Sequence, residues 1–555
     1  MISNYAGRRG IVVRAASSAV AAAAFLFAVS NIAEPVPAIA ASAPDEQACV
    51  ALAQMAGSNL DISTAKFMPA GTQLPPAPPM TAGPPLPPLP AHCLVQGVLA
   101  PRTGADGKHY GLGFEMRLPA AWNGRFLFQG GGGTDGFVLP AIGATATDGL
   151  PALMQGYAVI SSDGGHEGMG VDFAQDPQAK LDFAYAGLGP VADLGRKIVA
   201  QYYGKAASYS YFVGCSNGGR EGMMVAERFP TAFDGVVAGD PGFNLSAAAI
   251  AEMWSLKQLL NIAPKDKDGQ PILSQALSDE DLKLVATSVV ADCDGLDGLT
   301  DGIINNMAAC RFDPKKLRCK HGAQTACLSQ AKLTAIEAVF RGPRDSHGKA
   351  LYASWPYDAG VGTMAWRIWK LGTSPTSMPN AIDATLALNS MRLYFLTPPE
   401  PTVTPESFDF DTAEKRTEQT AAIDDVTGDL TAFAKHGGKL ILYHGMSDPV
   451  FSPDATIAWY RKLPKSGGAP QGWARLFLVP GMNHCGGGPA TDQFNALQAV
   501  RNWVEKGSAP DQIVARGMTM PGIARPLCPF PKFAKYKSGE VTDPKSFECT
   551  TDTAK

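Results

Sequence analysis

The feature that most constrains this chain is a six-residue turn, Gly214-Cys215-Ser216-Asn217-Gly218-Gly219. It fits Gly-x-Ser-x-Gly, follows the apolar run Tyr211-Phe212-Val213, which reads as a strand, and leads into a segment that reads as helix. A strand that turns into a helix this tightly leaves no room for side chains on either side of the serine, so glycine is needed there. The hydroxyl then projects from the C-terminal edge of a sheet, where the positive end of the following helix meets any group bound beside it. In a chain with 59 glycines the pattern also arises by chance, and the strand before it is what gives it weight.

A serine hydroxyl is a poor nucleophile at neutral pH and needs a base that is itself held by an acid. Lys439-Leu440-Ile441-Leu442-Tyr443 reads as a strand and runs into His444-Gly445-Met446-Ser447-Asp448-Pro449. Arg475-Leu476-Phe477-Leu478-Val479 does the same ahead of Pro480-Gly481-Met482-Asn483-His484-Cys485. Serine, then acid, then histidine, each after a strand, is the order of the α/β-hydrolase fold. Ser216, Asp448 and His484 are therefore the expected nucleophile, acid and base. His444 precedes the acid and reads as a structural strand-end residue. The glycines 130–133 follow another strand, Arg125-Phe126-Leu127-Phe128-Gln129, and offer bare backbone N–H groups to a developing oxyanion. The expected donors are the N–H of Asn217 and that of Gly131 or Gly132. A phosphate loop is the competing reading, but no Gly-Lys-Ser/Thr follows.

The remaining pattern is α/β, with short apolar runs alternating with helical segments as in a mostly parallel sheet covered by helices. Further strands are expected at 157–160 and 233–238, and a helix at 191–203. Alternation stops near Pro241 and resumes at Lys439. The expected organisation is a catalytic α/β-hydrolase domain over 41–240 and 439–555, interrupted by an inserted lid at 241–438; no flexible linker suggests a free-standing domain instead. Residues 69–91 carry four Pro-Pro pairs and read as an extended surface excursion. Charged residues are only 18% of the chain and the net charge is −4, so no basic stripe for nucleic acid is present. Residues 1–40 read as an export signal: Arg8, Arg9 and Arg14, an apolar run at 15–29 too short to span a bilayer comfortably, then Ala38-Ile39-Ala40. The expectation is a secreted or periplasmic protein with no membrane attachment after cleavage.

Ten cysteines agree with export and with disulfides, and the lack of any Cys-x-x-Cys argues against zinc. Spacing leaves their pairing open, although Cys215 beside the nucleophile and Cys485 beside the base suggest a bridge between the two loops. Taken together, Gly-Cys-Ser-x-Gly-Gly at 214–219, Ser-Asp-Pro at 447–449 and Gly-Met-x-His-Cys at 481–485 resemble the tannase and feruloyl esterase family across nearly the whole mature chain. That resemblance implies an α/β-hydrolase core with an inserted lid, and the pairs Cys49–Cys93, Cys215–Cys485, Cys293–Cys310, Cys319–Cys327 and Cys528–Cys549. It also implies structural calcium in the lid loop 294–303, with Asp294, Asp297 and Asp301 as ligands beside the carbonyls of Leu299 and Ile303; without it, the loop would read as merely acidic. The activity implied is hydrolysis of aromatic carboxylic esters, such as hydroxycinnamoyl or galloyl esters, through an acyl-enzyme. Terephthalate monoesters come second, and a non-catalytic binding protein on the same scaffold is disfavoured by the complete triad. Expected pocket residues are Trp355, Trp366, Trp369 and Phe451 as aromatic walls, and Arg367 as partner for a substrate carboxylate.

Overall fold

The sheet that presents the turn is built from nine strands: β1 Leu60–Met68, β2 His92–Thr103, β3 His109–Pro119, β4 Arg125–Gln129, β5 Ala158–Ser162, β6 Tyr209–Cys215, β7 Gly235–Gly239, β8 Lys439–Gly445 and β9 Ala474–Val479. A computed structural model describes residues 46–74, 87–320, 326–463 and 469–551. The expected export signal and residues 75–86 of the proline-rich stretch lie outside the described residues.

Spatial order is β1-β2-β3-β5-β4-β6-β7-β8-β9. β1, β2 and β3 pair antiparallel, β3 joins β5 antiparallel, and every pair from β5 to β9 is parallel. The parallel strands are buried on both faces, and β7 is buried at every position. This explains why β4 to β9 are legible as unbroken apolar runs. Helix Leu188–Tyr203 covers one face and stops at Gly204, whose φ of 68° closes the helix in the left-handed region. Strand order reverses at β4, whose neighbours are β5 and β6. A crevice opens beyond the carboxyl ends at such a reversal, and there the glycine loop after β4 meets the serine turn after β6.

Between the end of β7 at Gly239 and the start of β8 at Lys439 lies the insertion, with helices that include Leu245–Leu260, Asp279–Cys293, Gln330–Arg341 and Met364–Lys370. It has an apolar cluster of its own, containing Leu256, Val285, Ile336 and Trp366. Residues 43–555 nevertheless form one compact unit. All ten cysteines are bonded, in the pairs Cys49–Cys93, Cys215–Cys485, Cys293–Cys310, Cys319–Cys327 and Cys528–Cys549. Among the described residues no helix is long and apolar enough to cross a membrane.

Candidate active site

Ser216 occupies the strand-to-helix turn with φ 64° and ψ −125°, a conformation that costs a non-glycine residue on the order of 1–3 kcal/mol and persists only where its surroundings enforce it. The enforcement is close packing. A Cβ on Gly214 would stand 2.3 Å from the carbonyl oxygen of Gly218, and one on Gly218 would stand 2.6 Å from that of Gly131. The glycines on both sides of Ser216 therefore let the turn, the helix Asn217–Arg228 and the loop after β4 come together.

The structure brings Ser216, His484 and Asp448 into one hydrogen-bonded chain. His484 Nδ1 lies 2.8 Å from Asp448 Oδ2, and His484 Nε2 lies 2.7 Å from Ser216 Oγ. A carboxylate only accepts, so Nδ1 carries the proton and Nε2 accepts from the serine hydroxyl. The other carboxylate oxygen, Asp448 Oδ1, accepts from the backbone N–H of Val450 at 2.7 Å and of Phe451 at 3.2 Å. Burial alone would push Asp448 up, but the charge and hydrogen bonds of His484 and His444 hold it well below the usual carboxylate range. Burial likewise opposes the charge on His484, and Asp448 and Asp240 outweigh it, so the imidazole is raised above 6.5. The disulfide Cys215–Cys485 ties the loops of Ser216 and His484 together, with 6.0 Å between its Cα atoms.

Two neighbours have a closer part in this arrangement than their sequence context suggests. His444 is fully buried, with Nε2 3.2 Å from Asp448 Oδ2 and Nδ1 2.8 Å from Thr456 Oγ1. Asp240, at φ 37°, is also fully buried. Its carboxylate accepts from the N–H of Gly445 at 2.8 Å and of Cys485 at 3.2 Å, one on each of the loops that carry Asp448 and His484. Burial, reinforced by the charge of Asp448, pushes it up to about 7. The signal for Asp240 was its place directly after a strand, in Gly239-Asp240-Pro241-Gly242.

The glycine loop requires a correction. The N–H of Gly131 is bound to Glu221 Oε2 at 2.9 Å, and that of Gly132 to Asp135 Oδ1 at 2.8 Å, so neither is free for a substrate oxygen. Gly133 lines the same cavity as Ser216 and Asn217, and its N–H meets no acceptor among the described residues. The N–H of Asn217, first residue of its helix, has no intrahelical partner. Beneath the loop, Asp135 Oδ2 accepts from Asn217 Nδ2 at 2.9 Å, and Asn217 Oδ1 from Arg220 Nε at 2.8 Å. Burial and the neighbouring charge of Asp135 push Glu221 well above the usual range. These contacts fix the backbone around the serine before any substrate arrives.

Ser216 opens into a cavity of about 630 Å³ walled by Phe173, Phe183, Trp369, Tyr394, Phe395 and Phe451. Trp369 and Phe451 set their rings edgewise to His484, at 5.4 and 5.5 Å between centroids. Three expected pocket residues are placed elsewhere. The Arg367 guanidinium is turned into the insertion, where it donates to the carbonyls of Ser274 at 2.9 Å and Leu277 at 2.6 Å and pairs with Asp279. Trp366 is buried in the apolar cluster of the insertion. Trp355 and Trp366 line a smaller cavity of about 320 Å³ behind Asp448. The helix Met364–Lys370 thus presents Trp369 to the serine and withdraws Trp366 and Arg367. Apart from His484 beside Ser216, no lysine, arginine or histidine lines this cavity among the described residues.

In the loop 294–303, Asp294 and Asp297 are buried and burial raises both carboxyls. Asp297 is bonded to the N–H of Leu299 at 3.0 Å and to Asn305 Nδ2 at 2.7 Å, while Asp301 pairs with Arg525. Asp294 Oδ1 is buried without any partner. A buried carboxylate oxygen with nothing to accept from fits a hard cation. The three carboxylates do not close to within 4.8 Å of one another as they stand.

This fold and site define a carboxylic ester hydrolase on an α/β scaffold. The sequence profile of "Tannase and feruloyl esterase" matches residues 93–550, and the chain belongs to that family. It is 42% identical over 513 residues to mono(2-hydroxyethyl) terephthalate hydrolase of Piscinibacter sakaiensis, covering 83% of this chain and 85% of that one. Feruloyl esterase B from Aspergillus oryzae superposes with a TM-score of 0.75 at 26% identity, covering 91% of this chain and all of that one. Tannin acyl hydrolase from Aspergillus niger has the same fold, with a TM-score of 0.67 at 22% identity and coverage of 89% and 91%.

Proposed function

We propose that the chain is a secreted serine esterase that hydrolyses esters of aromatic carboxylic acids through an acyl-enzyme. The observation that carries this reading is the hydrogen-bonded chain Ser216–His484–Asp448 at the wall of an aromatic cavity. Ser216 Oγ attacks the ester carbonyl while His484 Nε2 takes its proton, and the tetrahedral oxyanion is met by the N–H groups of Asn217 and Gly133. Collapse releases the alcohol with the proton returned by His484. Water activated by the same imidazole then frees the acid. Asp448 keeps the imidazole in the working tautomer and stabilises its charged form. The insertion acts as a lid that supplies the acyl wall, and five disulfides support export.

Calcium is proposed in the lid, held by Asp294, Asp297 and Asp301 with the carbonyls of Leu299 and Ile303. When bound, it would neutralise buried carboxylates and brace the insertion; no catalytic step runs through it.

Terephthalate monoesters are the second reading, favoured by the 42% identical relative. The lack of a cationic side chain lining the described cavity favours uncharged rings instead. Comparison of kcat/KM for methyl ferulate, methyl gallate, mono(2-hydroxyethyl) terephthalate and a long-chain aliphatic ester tests the proposal. Fastest cleavage of the aliphatic ester would overturn the aromatic assignment while leaving the serine mechanism in place.

A further inference from the structure

Glu252 lies midway along the helix Leu245–Leu260, is 8% exposed, and lines the cavity that holds Ser216. Its carboxyl has no hydrogen-bond partner among the described residues, while the polar side chains of Thr134, Asn217 and Ser390 on the same wall are bonded to Met169, Asp135 and Leu386. A carboxyl that faces the cavity with no protein partner is open to a hydrogen bond from a ligand. The nearby charges do not pair with it: Lys370 is held by Asp383 at 2.9 Å, and neither residue lines the cavity.

Burial, with Asp383 and Asp448 adding and Lys370 opposing, pushes Glu252 up to about 8. At neutral pH it carries a proton and offers both a donor and an acceptor. A phenolic hydroxyl answers both roles. A carboxylate in the same place would give up its hydration with no cation to replace it.

We propose that Glu252 is a specificity-determining residue of the acyl pocket, hydrogen-bonding a phenolic hydroxyl on the aromatic acid and disfavouring a carboxylate there. This rests on the aromatic-ester reading and narrows it to phenolic acids. The test compares kcat/KM for methyl ferulate with that for methyl 3-methoxycinnamate, which lacks only the phenolic hydroxyl, in the wild type, Glu252→Gln and Glu252→Leu. The wild type is expected to favour the phenol by about tenfold or more, since a site built around a hydroxyl leaves its own polar group unpaired when that hydroxyl is missing. Glu252→Leu should bring the ratio near one, and Glu252→Gln should keep most of it. A wild-type ratio near one overturns the proposal even if Glu252→Leu does not fold. So does a folded Glu252→Leu with the wild-type ratio, or faster wild-type cleavage of mono(2-hydroxyethyl) terephthalate than of methyl ferulate. If both cinnamates are inert while aliphatic esters are cleaved, the aromatic-ester reading itself has failed.

Discussion

Replacing both Cys215 and Cys485 with alanine removes the bridge between the nucleophile and base loops, and its cost can be worked from the chain. The bridge closes a loop of 270 residues, within which the pairs Cys293–Cys310 and Cys319–Cys327 shorten the free path by only 17 and 8. The chain-entropy relation puts the stabilisation from such a closure at about 5 kcal/mol. An unfolding entropy of roughly 2.1 cal/mol/K per residue gives a folded unit spanning 43–555 on the order of 1 kcal/mol/K, so the expected fall in Tm is about 5 °C. Activity should fall further than stability suggests. Ser216 and Cys485 both hold positive φ, at 64° and 63°, and the bridge helps keep them there. A misplacement of His484 by about 1 Å is worth roughly 100-fold in kcat. Thermal scans at a fixed rate, with kcat on methyl ferulate below the transition, measure both effects. An unchanged Tm together with wild-type kcat in the double variant would refute the reasoning, as would two free thiols at these positions in a non-reduced digest of the wild type.

Because Asp448 and Asp240 raise His484 above 6.5, the base becomes protonated as pH falls through that raised value, and the acid limb of kcat/KM should lie above 6.5. Asp240→Asn removes one of the negative charges that stabilise the imidazolium, so the limb should move to lower pH; a move to higher pH contradicts this assignment. Gly218→Ala would place a Cβ 2.6 Å from the Gly131 carbonyl oxygen, which cannot yield without shifting the oxyanion loop. The expected loss is about 100- to 1,000-fold in kcat, and wild-type turnover would sink that account. Chelation of calcium should remove about 3 kcal/mol where the ion stands near 100 times its Kd, read as a fall of about 3 °C in Tm. Calcium-free protein by metal analysis, with no response to chelator, rules the ion out.

The hydrogen-bonded chain of Ser216, His484 and Asp448 could be anticipated from sequence because each residue lies on a loop after a buried parallel strand. β6, β8 and β9 each carry a short apolar run; Ser216 follows β6 at once, and Asp448 and His484 lie on the loops beyond β8 and β9. The antiparallel strands β1 to β3 carry weaker signals, since polar residues or glycines interrupt each of them. β1 has no buried position, mixing half-buried with exposed ones, and β2 is buried only near its N-terminal end, so neither offers the apolar run that marks a buried strand. The pocket was the least legible part. One short helix carries Trp366, Arg367 and Trp369, and only its packing decides that Trp369 meets the serine while Arg367 satisfies carbonyls of the insertion. Glycine content pointed to the loop beside Ser216, but Glu221 and Asp135 engage the N–H groups of Gly131 and Gly132. That left Gly133, which local sequence could not have singled out. Glu252 sits inside an ordinary helical stretch, and its importance comes only from what the fold places across from it.

The assignment of Ser216 as nucleophile is tested most directly by trapping the acyl-enzyme. Rapid quench of the enzyme with 4-nitrophenyl ferulate, followed by intact mass measurement and peptide mapping, should show one feruloyl group per chain on the peptide that contains Ser216. The adduct should be absent from folded Ser216→Ala, which should also lose several orders of magnitude in turnover. Acylation at another residue, or near-normal turnover by folded Ser216→Ala, would contradict the serine mechanism.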